Sequence, residues 1–361
     1  MAASVRAMAA ARLVGVMALL CAARASCVCS ISRPCSPTVV IVTTFDGEYR
    51  HWHARLPLTH EVDFPDGATG IPLGWNPELR VVGVVTGIGP RNSTLSVTAL
   101  GHDPRFDLTA CAWLVVGISG FDPQRASIGS AAWARYLVDG DAVRYIDPRE
   151  APPDWPTGWT PVNRQVPYGL PAPTEADRDG IVYQLSARLL DFALGLSGKV
   201  ALPDSDALLA ARAPYAAAFP GGAGRAPRVL PGDGLTTGAW WVGELSAAWA
   251  RNWTRYWTGG VGEFTHSSME DTGIAVALAA LARAGRARGP AEGLLVLRSA
   301  SNFVQPPPGQ PPAEFKMVFD PEAGFAAGYA AALPVVMALA TAPIAGGQAQ
   351  AEMMREVQIT E

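Results

Sequence analysis

Residues 263–302 constrain the fold of this chain more than any other stretch: E-F-T-H-S-S-M-E-D-T-G, a short apolar helix pattern, then G-L-L-V-L-R-S-A-S-N. The pattern predicts strand, helix and strand, with polar groups closing each strand and a Pro-rich loop after the second. In open α/β sheets ligands bind at the carboxyl ends of the strands. Glu270 and Asn302 are therefore expected to face one pocket.

The rest of such a sheet comes from earlier runs. Thr38-Val39-Val40-Ile41-Val42 is continuously apolar and β-branched, as a strand buried on both faces of a parallel sheet requires. The turn at 43–48 brings Asp46 and Glu48 near the expected pocket, although both also read as solvated turn carboxylates. Val81-Val82-Gly83-Val84-Val85-Thr86 is a second strand, followed by Gly87-Ile88-Gly89-Pro90-Arg91-Asn92 and a helix pattern over 93–100. A glycine turn opening a helix presents backbone N–H groups to an anion, and Arg91 adds charge; a tight turn with a solvated arginine is the other reading. A third strand at 112–116 leads into Gly117-Ile118-Ser119-Gly120, a glycine turn that lets a ligand approach the backbone.

Two short strands follow at 128–133 and 136–138, helices at 182–196 and 205–213 with Ser205 as cap, and a turn at Gly232-Asp233-Gly234 after a short strand at 229–230. A helix over 244–257 stacks Trp249, Trp253 and Trp257 on one face, which packs on the sheet. Residues 56–77 and 148–173 read as loop, the second a long Pro-, Trp- and Gly-rich excursion of the kind that covers a binding site.

The 361 residues, 49% hydrophobic and 17% charged, suffice for a large core. A net charge of −4 offers no footprint for a polyanion, so nucleic acid is not an expected partner. Arg6 and Arg12 precede the apolar run 13–21, and Ala23-Arg24-Ala25 supplies a small-x-small cleavage signal. Residues 1–25 thus read as a secretory signal, placing the chain outside the cytoplasm, secreted or periplasmic, with an uncleaved membrane anchor as the alternative. Residues 26–37 form a Cys-rich linker in which Cys27, Cys29 and Cys35 crowd together, while Cys111 stands alone in the sequence; one or two disulfides among these four could pin the arm in an oxidising compartment. No metal site is expected: C-x-C-x5-C lacks a histidine at ligand spacing, and His51-Trp52-His53 lacks a third ligand. Asn92-Ser93-Thr94 and Asn252-Trp253-Thr254 are glycosylation sequons. Residues 323–344 approach the ~20 apolar residues of a membrane span, but Pro334 and Pro343 interrupt them, and they read as the last helix of the fold. Residues 38–345 are one domain, and 346–361 a polar tail.

The segments VVIVTTF (39–45), VVGVVTGIGPRNSTLSVTALG (81–101), FDLTACAWLVVGISGFDPQRASIGSAAWARYLVDGD (106–141), IDPRE (146–150), SSMEDTG (267–273) and VLRSASN (296–302) resemble the purine nucleoside permease family. That family is similar to the nucleoside phosphorylases and nucleosidases. The resemblance implies a three-layer α/β domain with a mixed, twisted central sheet. It also implies that Met269 backs a ribose whose two hydroxyls donate to Glu270, and that Ser301-Asn302 meets the purine. Phe45 and Gly120 fall in matching segments and complete the substrate-binding set; Gly87, Gly89 and Arg91 match a phosphate turn; Glu48 matches the residue that activates water in nucleosidases. Asn302 departs from an acidic residue: an amide donates a hydrogen bond but delivers no proton near neutral pH.

Two functions follow from the resemblance. In one, the chain binds purine nucleosides and supports their transport with a membrane component, without being the channel. In the other, it cleaves their N-glycosidic bond, with phosphate as co-substrate or with water. No other cofactor is implied, and self-association is a common habit of the superfamily.

Overall fold

The computed structural model describes residues 29–315 and 320–341; the expected signal at 1–25, Cys27 and the tail at 346–361 lie outside them. The strands are β1 Val39–Thr43, β2 His60–Val62, β3 Leu73–Asn76, β4 Val81–Val85, β5 Ala112–Phe121, β6 Ala131–Trp133, β7 Tyr136–Asp139, β8 Val143–Tyr145, β9 Trp159–Pro161, β10 Val182–Gln184, β11 Val229–Pro231, β12 Asp233–Thr236, β13 Phe264–Ser268 and β14 Leu294–Phe303. The helices are α1 Asp46–Arg55, α2 Pro90–His102, α3 Glu175–Arg178, α4 Ala187–Ser197, α5 Asp206–Ala216, α6 Glu244–Trp257, α7 Asp271–Arg283, α8 Pro290–Gly293 and α9 Pro321–Thr341.

One mixed sheet of 12 strands runs β10-β7-β12-β13-β5-β1-β4-β3-β2, with β14 joining β5 to β6 and β11 beyond β6. Alternation along the central strands divides the core into two apolar layers. Val40 and Val42 of β1 pack with Leu100 of α2 and Ile274 and Leu278 of α7 on one face. Val39 and Ile41 pack with Trp52 of α1, Leu190 of α4 and Val335 of α9 on the other. This is the expected three-layer arrangement. The apolar α9 is half buried in that second layer, as the last helix of a fold.

Several local expectations are corrected. Gly117–Gly120 is not a turn: β5 continues to Phe121 because β14 runs parallel to it and β13 antiparallel, so its backbone groups are paired through the glycines. Residues 56–77 contain the antiparallel strands β2 and β3, with β2 at the sheet edge. Val182–Gln184 pairs with β7 rather than starting a helix, which begins at Ala187 behind the Ser186 cap. Gly232-Asp233-Gly234 is no turn, since Asp233 begins β12 while its carboxylate accepts from the N–H groups of Tyr136 (2.8 Å) and Glu263 (2.6 Å). The sequence supplies one half of each of these pairings and gives no sign of the distant half.

The expected cap at Ser205 is present, its Oγ accepting from Leu208 N at 3.2 Å. On α6, Trp249, Trp253 and Trp257 stack in a ladder with ring centres 5.7 and 5.9 Å apart. The excursion at 148–173 carries β9 and packs Trp159 on Trp249 of that ladder. In the linker, Cys29 and Cys35 form a disulfide, and Cys35 bridges to Phe106, which ties the arm to the domain.

Candidate functional site

The site is built around an arginine inside a strand. Arg298 lies in the middle of β14, opposite Gly117 of β5, and is 1% exposed. A buried guanidinium is tolerated only when anions and acceptors surround it. Three elements deliver them. The turn from β13 into α7 supplies Glu270, whose Oε2 lies 2.9 Å from Arg298 Nη2, and Asp271, whose Oδ1 accepts from Nη2 at 2.6 Å and from Nε at 3.1 Å. β5 supplies the Ile118 carbonyl, which accepts from Nη1 at 3.3 Å. The first turn of α1 brings in Glu48, buried beside Gly117. A Cβ at Gly117 would lie 2.8 Å from Glu48 Oε1 and closer still to Arg298 Nη1, so only glycine leaves room for both groups.

Each carboxylate is fixed from a second side. Glu48 Oε2 accepts from Thr44 N (2.7 Å) and Thr44 Oγ1 (2.9 Å), and its Oε1 from Ile118 N (2.8 Å). Glu270 Oε1 accepts from Gly89 N at 3.0 Å. Asp271 Oδ2 accepts from Ser268 Oγ at 2.7 Å. Burial lifts the Glu48 carboxyl to about 7 against the pull of Arg298, and the Glu270 charge adds to the rise. For Asp271 burial acts upward, but Arg298 outweighs it and holds the carboxyl below its ordinary range. Arg298 itself is pushed upward: burial opposes its charge, and Asp271, Glu270 and Glu48 together overcome that. Alongside, burial lowers His266 to about 4 despite Asp271. Its ring stacks on Phe121 with centres 5.9 Å apart, and neither ring nitrogen has a hydrogen-bond partner.

Both Glu48 and Glu270 are thus buried members of one ion cluster, not solvated carboxylates. Met269 is half-buried in the same turn as Glu270. Asn302 and Ser301 are buried further along β14. Asn302 Oδ1 accepts from Ser301 Oγ (3.0 Å), and Nδ2 donates to Phe303 O (3.1 Å). Gly120 lies between their strands: it pairs with Asn302 on one side and with Ser267, three residues before Glu270, on the other. A side chain at 120 would press on Asn302 Nδ2 at 3.0 Å. Phe45 precedes α1 and packs edge-on against Phe325, with ring centres 5.7 Å apart. A narrow cleft beside it is lined by Glu48, Trp52, Gly117, Ile118 and Phe325.

The glycine turn after β4 adopts the left-handed conformations that its sequence suggests, with φ +84° at Gly87 and +92° at Gly89. The anion it receives is internal, the Glu270 carboxylate. Arg91 is exposed and forms no ion pair among the described residues. The site also differs from the expected common edge. β13 runs antiparallel to β5, so its carboxyl end meets the middle of β5 and β14, where β1 also ends. Local pattern does not single out Arg298, Asp271 or His266 as site residues. The signal for Arg298 was available: a single arginine inside an apolar strand requires buried anions.

A carboxylate offers about four acceptor positions, and Glu270 uses two, so it can still receive a pair of hydroxyls. Glu48 can hold or release a proton near neutrality. Asn302 has a second amide hydrogen for a ligand.

The comparisons with known proteins bear on the family and the fold. The purine nucleoside permease (NUP) family matches residues 36–343. A purine nucleoside permease of Candida albicans is 25% identical over 284 residues, covering 77% of this chain and 68% of its own length. A probable purine nucleoside permease of Schizosaccharomyces pombe is 25% identical over 279 residues, covering 74% and 78%. Among solved structures, 5′-methylthioadenosine/S-adenosylhomocysteine nucleosidases share the fold. The enzyme of S. pneumoniae superimposes with TM-score 0.50 at 15% identity over 84% of this chain and 98% of its own. That of Campylobacter jejuni gives 0.50 at 17% over 84% and 99%. With the nucleoside phosphorylase-like fold in place and the family match spanning nearly every described residue, the chain belongs to the purine nucleoside permease family.

Proposed function

We propose that this chain is a purine nucleoside-binding protein that supports passage of nucleosides across a membrane without itself forming the conduit. The observation that carries the reading is the buried Glu270 carboxylate, oriented by Arg298 and Gly89 at one end of a site whose other end is the Asn302 amide. A sugar diol donates to Glu270, Met269 backs the ring, and Asn302 with Ser301 meets the purine edge. Family membership supports the transport role. Only one described helix, Pro321–Thr341, has the length and apolarity to cross a membrane, and it is half buried against the sheet. Export through the leader at 1–25, a membrane component as partner, and self-association belong to the same proposal.

A second reading is favoured by Glu48. A carboxyl that titrates near 7 beside the sugar pocket can take a proton from a water attacking the anomeric carbon. The C–N bond then breaks and its electron pair leaves with the purine, which Asn302 can stabilise by a hydrogen bond. Incubation of the purified protein with inosine, guanosine and adenosine, with and without phosphate, separates the two. Free base above the buffer control removes the pure binder; tight binding with no base released removes the enzyme.

Glu270→Ala tests the sugar contact common to both. Loss of the charged acceptor, worth ~1.5–3 kcal/mol, is expected to weaken nucleoside binding by about 10- to 150-fold and to leave free-base binding nearly unchanged in titration calorimetry. Equal losses for nucleoside and base would contradict the assignment.

A further inference from the structure

We propose that the aromatic cavity between the 148–173 excursion and α6 is a second binding site, which holds an uncharged planar heterocycle by stacking, of which a purine base is the expected example. The cavity and its ligand class stand on their own geometry; only the choice of a purine rests on the nucleoside reading above.

The cavity measures about 310 Å³ and is walled by Tyr145, Trp155, Trp159, Trp241 and Trp249, with Ser246 of α6. That is the size of a small-molecule site. Tyr145 and Leu245, which also line it, are 56% and 80% exposed, so it opens to solvent. Separate stretches of chain build it. β8 and β9 pair Tyr145 with Trp159, ring centres 6.1 Å apart. Trp159 and Trp241 both meet Trp249 edge-on, at 4.1 and 5.9 Å. Trp249 is the first rung of the α6 ladder, whose next rung, Trp253, is fully buried and donates from Nε1 to Asp139 O at 2.9 Å. The walls are held before any ligand arrives, which lowers the ordering cost of binding.

The lining decides the ligand. None of its described residues is charged, which leaves a phosphate without a cation and an organic cation without a counter-charge. Apart from indole N–H groups, its polar side-chain groups are the hydroxyls of Tyr145, Thr157 and Ser246. A sugar carries hydroxyls round most of its rim, and each one stripped of water without a partner costs free energy. A flat heteroaromatic ring instead offers π faces to the tryptophans and only a few donors and acceptors at its edge. Stacking on aromatic side chains serves every nucleobase, since each has a π face. The loop at 237–243 joins this cavity to the first site. Thr237 N donates to Ser268 O (3.1 Å), two residues before Glu270, and Gly243 N to Val304 O (2.9 Å), two residues after Asn302, while Trp241 between them lines the cavity. A base held here is one loop away from the strand ends that carry Glu270 and Asn302.

The test is a titration of the full chain with adenine, followed by tryptophan fluorescence, with tetramethylammonium and methyl glucoside as contrasting probes. Adenine is expected to quench the fluorescence of wild type and of Asn302→Ala alike. Trp155→Ala, which removes a wall outside the ladder, is expected to weaken that binding by about 5- to 150-fold, and Ser246→Phe, which fills the cavity, to abolish it. Both variants are expected to keep the Glu270-dependent binding of inosine. Trp155 and Ser246 are half-buried and lie on different elements, so a folding defect in one variant leaves the other to decide. Adenine binding indifferent to both substitutions, or lost with Asn302→Ala in a folded chain, would overturn the proposal. So would displacement of adenine from the cavity by tetramethylammonium or methyl glucoside. Inosine binding unchanged in Glu270→Ala would instead remove the nucleoside reading, while the Trp155 and Ser246 variants still judge the cavity.

Discussion

Arg298→Met is expected to destabilise the folded chain by about 3–5 kcal/mol, the range for a buried ion pair stripped of one partner. The effect is large because of what stays behind. Glu270 and Asp271, 4% and 0% exposed, would remain ionised with no cation, or would have to take up protons at neutral pH. The pair itself contributes little net stability, since desolvation offsets most of the attraction. A triple variant, Arg298→Met with Glu270→Gln and Asp271→Asn, is therefore expected to be more stable than the single one. Urea unfolding of the three proteins measures this. A single variant within about 0.5 kcal/mol of wild type, the range of an ordinary surface substitution, would mean that the cluster is not as buried as described.

Glu48 gives the second large effect, in the pH dependence of stability. Its carboxyl titrates at about 7 in the folded chain against 4.5 for an ordinary glutamate. The folded state therefore holds the proton more tightly, and the stability this group contributes is whole below about 4.5 and lost as pH rises through 7. With ~1.36 kcal/mol per unit, the loss is on the order of 3 kcal/mol. His266 has the opposite sign. Its imidazole is lowered to about 4 from 6.5, so stability from that group is lost as pH falls through the same window. The two slopes partly cancel in wild type, and the informative quantity is the difference between wild type and Glu48→Gln. That difference is expected to shrink against wild type between pH 4.5 and 7, because the glutamine variant has no proton to lose at this position. Parallel unfolding curves for the two proteins across this window would show that Glu48 is ionised in both states.

The parts of the site that could be read in the sequence are those announced by local pattern. The apolar β-branched runs at β1 and β4 and the glycine turn after β4 are local facts, and they appear where the pattern puts them. What could not be read is pairing over distance. Gly117–Gly120 looks like a turn until β13 and β14 close on both sides of it. Gly232-Asp233-Gly234 looks like another until the Asp233 carboxylate is seen holding N–H groups from residues about 30 and 100 positions away. Arg298 lies between these cases. Its burial was implied by the apolar strand around it, but the identity of its partners depended on how β13 enters α7. Asp271, which reads locally as a solvated first-turn residue suited to the helix dipole, instead is buried and binds the Nε–Nη2 edge of the arginine.

The account turns on a sugar diol at Glu270 and its base at Asn302. A crystal structure of the chain with a bound C-nucleoside, whose sugar–base bond resists hydrolysis, tests this most directly. The predicted result is both ribose hydroxyls within hydrogen-bond distance of the Glu270 carboxylate and the base edge at the Asn302 amide. A nucleoside found elsewhere, or bound with its hydroxyls turned away from Glu270, would contradict it.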